Sequence, residues 1–352
     1  MKTTKLPVAA CLLGLYGLLG GAVAVAEPIG SALGRPALAT LNADRAYLLG
    51  VAQAGERLVA VGERGIIVLS DDNGVSWRQV QAPISVTLTA VRFADARNGY
   101  AVGHGGSVLV TRDAGDSWTL SLDGRRAAEV VLAVAHAKGD ARGVAEAERL
   151  LADGPDKPLL DVLVRSPSTA FVVGAYGLAL YTTDSGKSWQ ALLAHSDNPG
   201  GLHLNAIRGA GQRIVIVGEQ GLVLLSDDAG ASFRNLETPY SGSFFTAELP
   251  TAHTLVVAGL RGTTFRSEDD GVSWTSLASP VEASITASAM SPDGELLLAS
   301  QAGLLLHQQG DRLLPINRQP LPPLNNLLST REGRLFVLSE QGVRLLNAGD
   351  EK

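Results

Sequence analysis

Residues 213–233 read RIVIVGEQGLVLLSDDAGASF, and this stretch decides the fold. Two apolar runs, 214–217 and 222–225, flank the step Gly218-Glu219-Gln220-Gly221. Both alternating faces of each run are apolar, as in strands buried on two sides. The step reads as a tight turn, because glycine accepts the left-handed backbone such turns need. A second turn follows, Ser226-x-Asp228-x-Gly230-x-x-Phe233, and leads into a short outer strand. With the run from Leu204 to Gly209 in front, the unit has four strands.

The unit repeats. Gly62 and Gly65, Gly103 and Gly106, Gly174 and Gly177, and Gly259 and Gly262 repeat the step, with Ser300 and Gly303, then Ser339 and Gly342, as weaker copies. The last glycines of successive steps are 41, 71, 44, 41, 41 and 39 residues apart. Seven units of this length predict an all-β chain, a seven-bladed β-propeller of four-stranded blades. Five units carry the polar turn: Asp72 with Trp77, Asp113 with Trp118, Asp184 with Trp189, Asp228 with Phe233, and Asp269 with Trp274. This is the Asp-box, or BNR, repeat. Its aspartates are expected to accept N–H bonds inside the turn, its glycine to take the strained conformation, and its aromatic to pack the blade edge. Unit seven shows only three clear strands, 325–329, 334–339 and 343–347, so part of 29–41 is expected to add the missing outer strand and close the ring.

One interval is longer by 30 residues. Residues 125–152 are alanine-rich, with a Lys138-Gly139-Asp140 stop and cap, and predict a helical hairpin in an insertion of about 123–157 between blades 2 and 3. Strand order puts it on the face of the Gly-x-x-Gly turns, opposite the Asp boxes. That face gathers Glu63, Arg64, His104, Tyr176, Glu219, Gln220, Arg261, Gln301, Glu340 and Gln341 as candidate protein-binding residues.

The N-terminus reads as an export signal. Lys2 and Lys5 precede an uncharged apolar run from Leu6 to Ala26 that ends in small residues, which predicts cleavage after Ala26 and a single propeller domain from 27 to 352. An uncleaved leader would leave a membrane-anchored form. Cys11 is the only cysteine, so the mature chain has no disulfide, thiolate ligand or cysteine nucleophile. The net charge is −6, becoming −8 without Lys2 and Lys5, and no basic stripe points to nucleic acid. No metal, cofactor or catalytic set is expected: the histidines show no ligand spacing, and five Asp boxes cannot all be active sites. BNR repeats also occur in sialidases, so a sialidase-like glycoside hydrolase or a carbohydrate-binding propeller is the alternative. Three arginines converging on the ring centre would favour it, because guanidinium forks clamp a carboxylate.

The succession of apolar strand, Gly-x-x-Gly, apolar strand and Ser/Thr-x-Asp-x-Gly-x-x-Trp, from about 41 to 347, resembles the photosystem II stability and assembly factor family, in its non-photosynthetic bacterial branch. The resemblance implies a seven-bladed propeller that binds membrane-protein assembly intermediates and is not an enzyme. Counterparts of that family's arginine patch fall at Arg64 and Arg261. It also implies a periplasmic accessory or assembly factor for a membrane protein complex, with a resistance-nodulation-division (RND) type transporter, met through its periplasmic part, as the candidate partner. Whether the central channel holds a small ligand is left open by the sequence.

Overall fold

A computed structural model of the chain describes residues 31–193, 197–317 and 319–346. The expected leader at 1–26, His195 and Asn347 lie outside the described residues. Seven antiparallel sheets form the blades of a propeller, six with four strands and the seventh with three. The inner strands are Leu48–Ala54, Leu88–Phe93, Leu159–Ser166, Leu204–Ala210, Phe244–Glu248, Ile285–Met290 and Leu324–Ser329. Each packs on the next, and the last packs on the first. The residue that opens each inner strand is fully buried in every blade, from Leu48 through Phe244 to Leu324.

Repeated hydrogen bonds set the joints. Thr89 Oγ1 donates to Leu159 O at 2.7 Å, Asn205 Nδ2 to Phe244 O at 2.8 Å, and Thr286 Oγ1 to Leu324 O at 2.8 Å. All three donors sit one residue into an inner strand and reach the opening residue of the next. Asn325 Nδ2 makes the same bond to Leu48 O at 3.3 Å, and Asn326 Nδ2 reaches Leu49 O at 2.7 Å. The ring therefore closes as its other joints do, by face-to-face packing.

Closure by a borrowed outer strand is corrected accordingly. The stretch after Ser31 runs along blade 1. Ala32 O accepts from Ser85 N at 2.8 Å, Ala37 N donates to Ala82 O at 3.0 Å, and Thr40 N donates to Gln79 Oε1 at 2.9 Å. Ala37 is buried in the core between blades 1 and 2, and that burial takes the segment away from blade 7. Among the described residues, the outermost strand of blade 7 is Gly342–Leu346.

The insertion folds as expected. Helix α1 spans Gly124–Lys138 and helix α2 spans Ala141–Asp153. Asp123 caps α1 through Arg126 N, Gly139 ends it in the left-handed region, and Asp140 caps α2 through Gly143 N. Alanines at 127, 128, 135 and 147 are buried, so small side chains let the helices lie close to each other and to the blades.

Candidate protein-interaction face

The Asp boxes spend their polar atoms internally. In blade 2, Thr111 Oγ1 donates to Asp113 Oδ1 at 2.8 Å and accepts from Gly115 N at 2.9 Å. Ser117 N and Oγ then donate to the two carboxylate oxygens of Asp113 at 2.9 and 2.6 Å. The other four boxes repeat this set, with Ser76, Ser188, Ser232 and Ser273 as the second donor. Sequence reasoning passed over that serine, although it precedes the aromatic in all five copies. These bonds, led by the serine hydroxyl, hold the carboxyls of Asp72, Asp184, Asp228 and Asp269 down at about 2. Burial pushes the Asp113 carboxyl up, but the bonds from Ser117 and Thr111 carry it below the usual range.

The box backbone differs from expectation in one respect. The glycine shares the left-handed region with the residue before it, as at Ala114 and Gly115 with φ of 63° and 88°. Arginines staple this face between blades. Arg213 Nε lies 3.0 Å from Asp227 of its own blade, and Nη2 lies 2.9 Å from Asp270 of the next.

The opposite face carries the Gly-x-x-Gly turns. In six blades the N–H of the residue after the first glycine or serine, such as Glu63, His104 or Gln301, donates to the carbonyl just ahead of the inner strand. The first glycine is needed for that approach: a Cβ on Gly218 would lie 2.3 Å from His203 O. Glu63 and Glu219 also accept N–H bonds at the same place, from Tyr47 at 3.2 Å and His203 at 2.8 Å. These two glutamates therefore anchor the inner strands as well as lying on the face.

The tips of the turns are different. Arg64, Tyr176, Gln220 and Arg261 take φ of 52°, 58°, 53° and 57° and are all exposed. Large side chains stand where glycine would be least strained; in blade 2 the position is in fact Gly105. His104, Gln301, Glu340 and Gln341 are also exposed on their own spokes.

Tyr176 is the most elaborated tip. Its ring centroid is 5.0 Å from that of His203, and Lys157 Nζ lies 5.2 Å from it. Beside it, the hairpin and blade 3 enclose a groove of about 310 Å³. Val131, Val134 and Leu150 line one side, and Tyr176, Ala179 and Leu193 the other. Asp140 is used as a cap, Glu146 pairs with Arg142, and Asp153 lies 3.8 Å from Lys157. Lys138 and Arg149 line the same groove and make no ion pair among the described residues. The groove thus joins an apolar floor to a rim of mixed charge, formed by Lys138 and Arg149 with Asp140, Glu146 and Asp153. Helix α1 packs on the turn at His104–Gly106 of blade 2 and on the outer strand of blade 3 at Gln190–Ala191.

At the ring centre lies a charge network that sequence reasoning missed. Arg208 pairs with Asp161 and reaches Glu248 Oε1 at 3.6 Å, while Arg92 Nη2 lies 4.0 Å from Asp161 Oδ1. Asp161 also accepts from Val162 N and Ile207 N, at 2.9 and 3.0 Å. Aligning the inner strands on their opening residues would have found it: Arg92, Arg208 and Glu248 each fall four places after Leu88, Leu204 and Phe244. Among the described residues no group of three or more metal-binding side chains forms, and no helix is long and apolar enough to cross a membrane.

Fold and site together define a BNR-repeat propeller whose Asp-box face is locked and whose turn face presents strained, exposed tips beside a groove. The family described as Photosynthesis system II assembly factor YCF48 matches residues 145–351, more than half of the chain, and the chain belongs to it. No curated protein matches the chain. YCF48 from Cyanidioschyzon merolae superposes with a TM-score of 0.64 at 15% identity, over 88% of this chain and 98% of that one. YCF48 bound to D1 peptide gives 0.62 at 18% identity over the same shares. The WD40 propeller domain of Doa1 gives 0.63 at 10% identity, over 90% and 97%.

Proposed function

We propose that this chain is a periplasmic, non-enzymatic assembly or accessory factor that holds a segment of a membrane protein complex on its turn face. One observation carries the reading: Arg64, Tyr176, Gln220 and Arg261 hold long side chains out to solvent at the turn tips, whereas the left-handed positions of the Asp boxes hold the short side chains of Asn73, Ala114, Ser185, Ala229 and Asp270. The solved YCF48 bound to D1 peptide supports a peptide as the kind of object such a propeller holds. The groove beside Tyr176 suits an extended segment with an apolar anchor, because Val131, Val134, Leu150 and Leu193 line it. Export is supported by the basic, apolar and small-residue order of residues 2–26. The periplasmic part of an RND-type transporter is the specific partner proposed. Binding is favoured over hydrolysis because Asp161, one of the two carboxylates at the ring centre, is taken up by Arg208 and by the N–H groups of Val162 and Ile207, which leaves no free carboxylate pair there.

Affinity capture from solubilised membranes of the source cell tests this. The unaltered chain should retain one membrane protein. The double variant Tyr176→Ala/Arg261→Ala should lose it by about tenfold or more, as for loss of interface anchors. Val272→Ser, on the Asp-box face, should keep it. Equal recovery by all three would overturn the reading.

A further inference from the structure

The central channel opens on the face opposite the turns into a cavity of about 330 Å³. Its walls come from the far ends of the inner strands and include Gln53, Arg92, Arg208, Glu248, Ser288 and Arg331. Arg92, Arg208 and Arg331 line this mouth, but they are not equivalent. Arg208 is committed to Asp161 and Glu248. Among the described residues Arg92 has a single side-chain hydrogen bond, Nη1 to Val91 O at 2.9 Å, and one ion-pair approach, 4.0 Å to Asp161. Arg331 is exposed at the rim, and its side chain makes no ion pair among the described residues.

Glu248 is arranged to face a hydrogen-bond donor. Its Oε1 accepts from Ser288 Oγ at 2.8 Å and faces Arg208, while Oε2 takes no bond among the described residues. Ser288 Oγ is fixed in turn by Thr246 Oγ1 at 2.6 Å. The mouth thus offers two under-used guanidinium forks on one side and a carboxylate acceptor on the other. Burial lowers the Arg92 guanidinium and raises the Glu248 carboxyl, the directions expected of groups whose charge the protein does not fully compensate.

We infer that the channel mouth is a binding site for a small carboxylic acid carrying a hydroxyl or amino group. The carboxylate lies on Arg92 and Arg331, because a planar fork matches its two oxygens. The hydroxyl or amino group donates to Glu248. A cavity of about 330 Å³ fits a molecule of monosaccharide size, at the small end of ligand pockets. The site is independent of the turn face and stands or falls apart from the proposed protein partner.

Calorimetric titration of the full chain with D-glucuronate, N-acetylneuraminate, L-glutamate, D-glucose and inorganic phosphate tests it. At least one of the three acids should saturate one site, with glucose and phosphate binding at least tenfold more weakly, the factor lost with a charge-assisted pair. Arg331→Ala, at an exposed rim position that leaves the core untouched, should weaken the acid about tenfold. Arg92→Lys keeps the charge, loses the fork and should weaken it too. Circular dichroism of both variants checks that they fold. Three results overturn the assignment: no saturable binding of any acid up to roughly ten millimolar, phosphate or glucose binding as well as the acids, or affinity unmoved by Arg331→Ala.

Discussion

The two faces of this propeller are built from the same repeat and treat polar residues in opposite ways. On the Asp-box face the repeated residues satisfy one another: Asp113 takes bonds from Thr111 and Ser117, and Arg213 joins Asp227 to Asp270. On the turn face the repeated residues are the glycines, while the tip between them changes from Arg64 to Tyr176, Gln220 and Arg261. What repeats carries structure, and what varies within the repeat is where the proposed function places recognition.

The contrast can be broken by mutation. The largest expected effect on stability is at the locked face, where Trp118 is 5% exposed and its Nε1 donates to Gly115 O at 3.0 Å. Trp118→Ala should cost about 3–5 kcal/mol, read as a lower denaturant midpoint. Asp113→Ala leaves Ser117 N and Thr111 Oγ1 without their acceptor and should cost about 1–3 kcal/mol. At the turn face, Gln220→Ala and Arg261→Ala should each shift stability by less than about 0.5 kcal/mol. Parity between the two sets would mean that the turn tips also carry the fold.

Acid sharpens the same comparison. Four box aspartates sit at about 2 in the folded chain against an ordinary 3.8, so the folded state binds fewer protons than the unfolded one between those values. Their contribution is full above the ordinary value and is lost as pH falls toward about 2. Denaturation midpoints should stay level from neutral pH to about pH 4 and then drop. A flat profile down to about pH 2 would contradict the bonding described for the boxes.

Most of the ring was legible because each blade restates it. Seven steps at near-constant spacing fixed the blade count, and Lys138-Gly139-Asp140 fixed the hairpin turn. Closure was not legible. It depends on Asn325 and Asn326 reaching Leu48 O and Leu49 O, contacts across almost the whole chain with no local signal, while Ala37 is held by burial beside Ala82. The central network escaped for a related reason. Arg92, Asp161, Arg208 and Glu248 interrupt apolar inner strands in single blades, so a search for what repeats passes over them. The groove beside Tyr176 needed the way the hairpin packs against blade 3, which helical periodicity does not contain.

The most direct test of the central claim, that the turn face is the binding face, is photo-crosslinking in intact cells. A photoreactive residue is placed at Tyr176, at Arg261 or, on the Asp-box face, at Val272, all three exposed. The account predicts that Tyr176 and Arg261 trap the same membrane protein and that Val272 traps none. Trapping at Val272, with neither turn-face position reacting, would contradict it.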